Sequence, residues 1–252
     1  MLRILLVGHG RMGQLVGQLA GEYDCQVVGV IDPQSPADSG PADDDRWRGA
    51  ADVAIDFSLA DAVVANVPAL AKRGVNVVIG TTGWQAHELA LKQAVRDAGI
   101  GVVAAPNFST GVVLFEAIVS RAAALFAGQQ GFDAWVHEEH HKMKKDAPSG
   151  TALLLTAAMK GAGYTRPIDV SSTRAGYIPG VHTIGFDGAS ESITLSHEAR
   201  DRSAFARGAL TAAQWVHGRH GWFTMHDVLG LKSPGPEGPG QRPEARSPEP
   251  GA

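Results

Sequence analysis

Residues 4–13 read Ile-Leu-Leu-Val-Gly-His-Gly-Arg-Met-Gly, a run of four apolar residues followed by a glycine-rich loop. The apolar run predicts a buried strand, and the pattern after it predicts a helix. In such a unit Gly8 permits a tight turn, Gly10 lets the backbone approach a pyrophosphate, and Gly13 allows close contact between helix and strand. Asp32 ends the next apolar run about twenty residues on, where a carboxylate can accept hydrogen bonds from a ribose diol. Together these features predict a dinucleotide site.

The loop and the acidic residue also bear on the choice of cofactor. Asp32 favours NADH over NADPH, because its carboxylate repels a 2′-phosphate and Pro33 beside it brings no positive charge. Arg11 could reach that phosphate instead, although a solvated side chain that covers the loop is an equal alternative. Use of both NADH and NADPH therefore stays open. The loop residues that we assign to the cofactor are Gly8, His9, Gly10, Arg11, Met12 and Gly13.

Short apolar runs alternate with longer helical patterns through the first hundred residues. Continuous runs of Val, Ile and Leu indicate parallel strands that are buried on both faces. The predicted fold class is therefore α/β, with a Rossmann-like doubly wound parallel sheet. The predicted strands are 4–7, 27–31, 53–57, 75–79 and 100–104, and the predicted helices are 12–20, 60–71 and 85–98.

Three further loops follow predicted strands on the edge where doubly wound sheets bind their ligands. We expect them to line the cofactor crevice. For each loop taken singly, ordinary turn chemistry is the better explanation, because Asp, Ser, Gly, Thr, Pro and Asn are common at strand ends. The candidate cofactor residues in these loops are Phe57, Gly80, Thr81, Thr82, Ala105, Pro106, Asn107 and Phe108.

The second half of the chain has a different pattern of polar and apolar residues. Its strands mix polar and apolar positions, as in a sheet with one covered face, which predicts a second, α+β domain at 109–219. We assign 1–108 and 220–231 to the dinucleotide-binding domain. The tail 232–252 holds six of the 14 prolines and almost no apolar side chain, so we expect it to be disordered. A role of this tail as an interaction element is a weaker alternative.

Bulk composition narrows the class of protein. A chain of 252 residues with 44% apolar and 19% charged residues is ordinary for a globular protein. The net charge of -4 gives no electrostatic reason to expect a nucleic acid partner. One cysteine, Cys25, cannot form an internal disulfide, which fits a reducing compartment. With no charged leader and no apolar span of membrane length, we expect a cytoplasmic protein that does not contact a membrane.

Residues 138–152 read Glu-Glu-His-His-Lys-Met-Lys-Lys-Asp-Ala-Pro-Ser-Gly-Thr-Ala, a strand end that runs through a basic loop into a helix. Backbone N–H groups and hydroxyls at a helix start near Ser149–Thr151 can hold a carboxylate or a phosphate. The adjoining histidines and lysines can bind anions or donate protons, which implies an anionic substrate. A capped helix after a solvated charge run explains the same residues about equally well. These cationic residues are His140, His141, Lys142, Lys144 and Lys145.

Other site chemistries are disfavoured. A metal site built from His137, His140 and His141 would need ligands at other spacings, and the neighbouring lysines repel a cation, so we predict no metal. A serine hydrolase is disfavoured because no serine lies in a Gly-x-Ser-x-Gly elbow. His197 lies in a predicted strand, where we expect a structural role.

The segment 139–152, with Glu139-His140-His141, Lys144 and 146–152 reading Asp-Ala-Pro-Ser-Gly-Thr-Ala, resembles the signature of the dihydrodipicolinate reductase family. The resemblance runs from Leu2 to Leu231. Supporting matches are the glycine loop, Asp56-Phe57-Ser58, Gly80–Gly83, Ala105–Phe108, His197, Arg202, 205–209 and 227–229.

The resemblance implies a reductase of lysine and diaminopimelate biosynthesis, in which hydride from the nicotinamide C4 reduces a small cyclic dicarboxylate. It implies that Lys144 donates a proton and that His140 assists, so these two are the expected catalytic pair. It also implies a homotetramer that assembles through the sheet of the second domain. The residues expected to hold the substrate carboxylates are His141, Lys144, Ser149, Gly150 and Thr151.

The sequence departs from the family pattern at three places. The glycine loop is one residue shorter than in many members, Pro33 lacks a neighbouring arginine, and Val181 precedes His182 where an acidic residue is common. The first two bear on cofactor preference. Two rival functions stay open, namely another two-domain nicotinamide oxidoreductase acting on a different small acid and a non-catalytic protein that senses dinucleotides.

Overall fold

The computed structural model describes residues 1–231, which form two sheets and their covering helices. The tail 232–252, predicted to be disordered, lies outside the described residues. The strands are β1 (Leu2–Val7), β2 (Cys25–Ile31), β3 (Val53–Asp56), β4 (Asn76–Ile79), β5 (Gly101–Ala104), β6 (Phe132–His140), β7 (Ile168–Arg174), β8 (Val181–Gly188), β9 (Ser192–Glu198) and β10 (Gly221–Phe223). The α-helices are α1 (Arg11–Leu19), α2 (Ala60–Ala71), α3 (Glu88–Ala98), α4 (Thr110–Phe126), α5 (Gly150–Gly161), α6 (Ser203–Val216) and α7 (Met225–Val228).

The first sheet has six strands in the order β10-β5-β4-β3-β1-β2, and all its pairings are parallel. Strands β3 and β4 are buried at every position because helices cover both faces, which explains their continuous runs of apolar residues. Helices α1 and α6 pack on one face, and α2 and α3 pack on the other. The predicted doubly wound parallel sheet is confirmed, and β10 adds a sixth strand beside β5.

The second sheet has four strands in the order β7-β6-β8-β9 and is mixed, since β7 runs parallel to β6 and the other pairings are antiparallel. Strand β6 alternates between buried and partly exposed positions, as expected of a sheet with one covered face. Its covered face packs on α4 and α5 through an apolar cluster that includes Phe115, Leu155 and Phe186. The predicted second α+β unit is therefore confirmed as a fold class.

Two features differ from the sequence-based expectations. Strand β7 was not predicted, because Ile-Asp-Val-Ser-Ser-Thr-Arg has few apolar residues and β7 is an edge strand without a fully buried residue. Helix α6, assigned above to the second domain at 109–219, packs on β3, β4, β5 and α1 of the first sheet. Its small buried residues, such as Ala206, Ala209 and Ala213, allow this close packing. Among the described residues, no helix is long and apolar enough to cross a membrane.

Candidate active site

The glycine loop between β1 and α1 has steric constraints that explain two of its glycines. Gly8 adopts a φ of +86°, and a Cβ atom there would lie 2.7 Å from the carbonyl oxygen of Phe57. A Cβ atom on Gly13 would lie 2.0 Å from the carbonyl oxygen of Gly8. Around Gly10, in contrast, nothing lies within 4 Å of the Cβ position. The loop is thus tightly packed against the protein at Gly8 and Gly13 and open at Gly10, where a ligand would approach.

The start of α1 suits the pyrophosphate of a dinucleotide. Gly10 is the N-cap residue, and no side chain caps the helix there, so its first N–H groups and its positive dipole end are available to an anion. The Asp32 carboxylate accepts a hydrogen bond from the backbone N–H of His9 at 2.7 Å, which ties the end of β2 to the loop. The His9 ring is held by the Ser35 hydroxyl at 2.7 Å. Arg11 is exposed.

The neighbouring loops meet at the same edge of the sheet. A Cβ atom on Gly80 would lie 2.1 Å from the Phe57 ring, so glycine is needed for this contact. The Phe57 ring packs edge-on against Phe108, with centroids 6.3 Å apart. Phe108 is only 1% exposed and contributes to the core, so its backbone is the part that a ligand could reach. Thr81 is buried, and its hydroxyl donates to the Asp56 carboxylate at 3.0 Å.

The remaining cofactor candidates differ in accessibility. Thr82, Pro106 and Asn107 line a cleft at this edge. The Asn107 side-chain oxygen accepts from the N–H of Ser109 at 2.8 Å, which shapes the connection into α4. Ala105 is half-buried and packs against the apolar core.

The cleft, with a volume of about 1020 Å³, lies between the edge of the first sheet and the end of β6. It brings together the two groups of residues that the sequence had placed in separate halves of the chain. The predicted residues that line it are Met12, Thr82, Pro106 and Asn107 from the first half and His140, His141, Lys144, Ser149, Gly150 and Thr151 from the second.

His140, at the end of β6, is buried against a carboxylate that the sequence analysis did not single out. Its Nδ1 atom forms a hydrogen bond with Glu138, whose side chain is fully buried. The other oxygen of Glu138 accepts from Arg174 Nη2 at 2.6 Å and from the N–H of Ser149 at 3.2 Å. Burial alone would raise the pKa of Glu138, but hydrogen bonds led by that from Arg174 outweigh it and hold the pKa at about 2. Glu138 is thus an ionised carboxylate in the protein interior.

The sequence contained a signal for Glu138 but none for Arg174. Alternation along β6 puts residues 138 and 140 on the same face of the sheet, so a carboxylate beside His140 could have been predicted. Arg174 lies opposite His140 in the parallel pairing of β6 with β7, a strand that the pattern did not reveal.

Ser149 caps α5 and links three elements of the site. Its hydroxyl accepts a hydrogen bond from the N–H of Ala152 at 3.2 Å and contacts His182 Nε2 at 3.1 Å. Gly150 and Thr151 form the first turn of α5, where the positive end of the helix dipole favours a carboxylate. The predicted anion site at this helix start therefore faces the cleft that also contains the candidate proton donor.

Lys144 is held in the loop that joins β6 to α5. Its ammonium donates to both carboxylate oxygens of Asp146, at 2.8 and 2.9 Å. This contact is the main cause that lowers the pKa of Asp146. Arg174 donates a second bond from Nη2 to the Asp146 carbonyl oxygen at 2.6 Å, so one arginine supports both Glu138 and the Lys144 loop.

Two more histidines extend the site across the second sheet. His182 pairs with Glu138 on one side and with His197 on the other. The rings of His140 and His182 pack edge-on with centroids 5.2 Å apart. His197, expected to be structural, lines the cleft and packs against Phe115. Burial, followed by the charge of a protonated His140, lowers the pKa of His182 to about 4, so this ring is neutral near pH 7.

Glu138, His140 and His182 could in principle hold a metal ion, since one ligand atom from each lies within 4.8 Å of the others. Both oxygens of Glu138 are already hydrogen-bonded, and the Arg174 guanidinium beside them repels a cation. The arrangement therefore suits a hydrogen-bond network, and the absence of a metal from the reaction stays a prediction.

The lowered pKa of the buried His182 predicts that the protein loses folding stability in acid. Between about pH 6.5 and pH 4 the unfolded chain binds a proton at this ring and the folded chain does not, so folding stability falls as the pH falls. A pKa shift from 6.5 to about 4 corresponds to about 3 kcal/mol. In His182→Gln we expect the loss of unfolding free energy between pH 7 and pH 4, measured by urea titration, to be smaller by about this amount. His87 is exposed, so His87→Gln should keep the wild-type dependence of the unfolding free energy on pH. The same wild-type dependence in His182→Gln would contradict the lowered pKa of His182.

A doubly wound sheet with a glycine loop at its carboxyl edge, facing a mixed sheet across a cleft, defines the class of two-domain nicotinamide-dependent oxidoreductases. The N-terminal family model of dihydrodipicolinate reductase matches residues 2–108, and the C-terminal model of that enzyme matches residues 111–229. The chain belongs to the dihydrodipicolinate reductase family.

Similar proteins agree with this assignment. The 4-hydroxy-tetrahydrodipicolinate reductase of Rhodopseudomonas palustris (strain TIE-1) is 38% identical, with 91% of this chain and 98% of that protein covered. The enzyme of the same name from Methanosarcina mazei is 41% identical, with 88% and 87% covered. Among solved structures, dipicolinate-bound dihydrodipicolinate reductase from Paenisporosarcina sp. TG-14 has a TM-score of 0.78 at 22% identity, covering 91% of this chain and 99% of that one. At this identity the structural likeness shows the fold alone.

Proposed function

We propose that this chain reduces 4-hydroxy-tetrahydrodipicolinate to tetrahydrodipicolinate, with loss of water, in lysine and diaminopimelate biosynthesis. The observation that carries the proposal is the single cleft that joins the glycine-loop edge to His140, Lys144 and the start of α5. The names of the relatives supply the substrate. The cleft supplies cationic and N–H groups for a small dianion next to the edge where a nicotinamide would lie.

The chain's own residues divide into binding and proton-transfer groups. His141, Lys144, Ser149, Gly150 and Thr151 hold the two carboxylates of the substrate. The glycine loop and the start of α1 would hold a nicotinamide dinucleotide, which would provide hydride for the reduction when bound. Lys144 donates the proton that completes the addition, and its deprotonated amine is then reprotonated from solvent. His140 assists this transfer from the neighbouring wall of the cleft.

The proposed activity is tested by following the absorbance of NADH and of NADPH while dihydrodipicolinate synthase generates the substrate in situ. Oxidation that depends on the synthase product supports the reductase. A folded protein that binds NADH without oxidising it would instead be a dinucleotide sensor. Oxidation with a different small acid only would identify another oxidoreductase of the same class.

Asp32 gives a separate prediction about the cofactor. Replacing Asp32 by asparagine removes the charge that opposes a 2′-phosphate while keeping an oxygen that can accept from His9. We expect the ratio of kcat/KM for NADPH to that for NADH to rise about tenfold, since two charges about 4 Å apart repel by about 1 kcal/mol or more. Asp24→Asn, at the opposite end of β2, should leave the ratio unchanged. An unchanged ratio in Asp32→Asn would mean that the ribose does not bind at Asp32.

We propose a cytoplasmic homotetramer without nucleic acid or membrane partners. Strand β9 at the edge of the second sheet is largely exposed, with Ile193 44% accessible, which supports association through this sheet. We also propose that the cofactor domain comprises 1–108, α6 and 220–231, and that the substrate domain comprises the rest of 109–219.

A further inference from the structure

We propose that Glu138, which accepts a hydrogen bond from Arg174, is a positioning residue that keeps the proton of His140 on Nδ1 and leaves its Nε2 atom as a proton acceptor in the cleft. The proposal rests on the proposed function for its kinetic consequence. Its structural part, the position of one proton, is independent of which substrate the protein reduces.

The hydrogen bonds around Glu138 allow it only to accept a hydrogen bond from His140. One of its oxygens accepts from both Arg174 and the N–H of Ser149, and the other contacts His140 Nδ1. An ionised carboxylate can only accept hydrogen bonds, so Nδ1 must carry a proton whenever this contact exists. In a neutral imidazole the other nitrogen, Nε2, then has a free lone pair.

The Nε2 edge of the His140 ring lies beside Gly180. A Cβ atom on Gly180 would lie 3.1 Å from Nε2 and 3.3 Å from Cδ2, so Gly180 leaves room beside this edge. Both residues line the cleft. No hydrogen bond to His140 Nε2 exists within residues 1–231, which leaves the lone pair free for the substrate or for the Lys144 ammonium.

Burial and the nearby positive charges favour the neutral form of the His140 ring. Burial lowers the pKa of His140, and the positive charges of Lys144 and Arg174 lower it as well. The hydrogen bond and the charge of Glu138 raise it, but the net change is a decrease. The neutral ring of His182 packs on its other side. A neutral His140 with a free Nε2 can accept a hydrogen bond from Lys144 and so direct that ammonium within the cleft.

Arg174 and Ser149 determine how the amide group is oriented in Glu138→Gln. In Glu138→Gln the amide oxygen must take the position that faces Arg174 and Ser149, because both of these groups donate. The amide NH₂ then faces His140 Nδ1 and donates to it. His140 can satisfy this donor only by moving its own proton to Nε2. The variant should therefore invert the tautomer and remove the acceptor from the cleft without changing the shape of the site.

The first measurement is the tautomer of His140 by ¹⁵N NMR of histidine-labelled protein near pH 7.5, with the signal assigned by its absence in His140→Asn. We expect a proton on Nδ1 and an unprotonated Nε2 in the wild type, and the reverse in Glu138→Gln. A wild-type ring with its proton on Nε2 would overturn the proposal, whether or not Glu138→Gln folds. Because no substrate is present, this result is separate from that of the reductase assay.

The second measurement is kinetic. We expect Glu138→Gln to lower kcat about 100-fold or more with KM within about threefold, since acid–base assistance contributes about 10²–10⁴ in rate. In a His140→Ala background the same change should alter kcat less than about threefold, because the residue through which Glu138 acts is gone. An equal loss in both backgrounds would overturn the positioning role.

The neighbouring Glu139→Gln is the matched control. Glu139 lies on the opposite face of β6, 3.7 Å from His137 Nε2, and is partly exposed. It should leave both the tautomer of His140 and kcat near wild-type values. A loss in Glu139→Gln equal to that in Glu138→Gln would show that any charge change on β6 has the effect and would overturn the specific role of Glu138.

Discussion

Lys144→Ala is expected to lower kcat about 10²- to 10⁴-fold, because the variant lacks the proposed donor of the proton that completes the reduction. The Lys144 ammonium lies in the cleft wall and is held by Asp146 at 2.8 and 2.9 Å. KM for the dicarboxylate should also rise, since the same ammonium is proposed to contact a substrate carboxylate. The dissociation constant for NADH should stay within about twofold, because the glycine loop lies across the cleft on another sheet. Steady-state kinetics and fluorescence titration with NADH measure the two quantities.

Lys160→Ala, at the exposed end of α5, is the control for loss of a lysine from the same region. It should keep the wild-type kcat and KM. A folded Lys144→Ala protein with kcat within about threefold of wild type would show that water or another side chain supplies the proton. Loss of NADH binding together with kcat would instead point to a structural effect of the Lys144 loop.

The parts of the fold that follow from local pattern were predicted well. Strands β3 and β4 are buried on both faces, and a continuous apolar run needs no knowledge of the rest of the chain to be recognised. Strand β7 has no such run, because as an edge strand its stability comes from its pairing with β6. Helix α6 lies within the range 109–219 that the sequence analysis assigned to the second domain, yet it packs on the first sheet. Small residues on a helix do not reveal which sheet they pack against.

The candidate site likewise combines residues that are close together in the sequence with residues that are far apart in it. The segment from His140 to Thr151 is contiguous, so its anion-binding and proton-donating groups could be identified from sequence. The network behind it joins Glu138, Arg174 and His182 from three different strands. Only their pairing across the sheet brings these side chains together. The assignments of individual residues to cofactor, substrate and proton transfer remain predictions that the variants described here test.

Gly13→Ala is expected to destabilise the fold by about 3 kcal/mol or more and to abolish measurable NADH binding. A Cβ atom at this position would lie 2.0 Å from the carbonyl oxygen of Gly8, a backbone atom that cannot rotate away. Relief requires α1 to move off β1, and overpacking of this kind costs about 1–3 kcal/mol even where flexible side chains can adjust. The displaced helix N-terminus would no longer face the pyrophosphate. Thermal or urea unfolding and titration with NADH measure the two losses.

Gly10→Ala and Gly21→Ala separate the causes of these losses. Neither position has an atom within 4 Å of the added Cβ, and neither has a positive φ, so both variants should fold with nearly wild-type stability. Gly21→Ala should also bind NADH normally. Gly10→Ala should bind it at least about tenfold more weakly, because the methyl group occupies the open side of the loop where the backbone meets the pyrophosphate. If Gly10→Ala bound NADH as well as wild type while Gly13→Ala did not, the glycines would serve only the packing of α1, and the dinucleotide would have to bind elsewhere on the sheet edge.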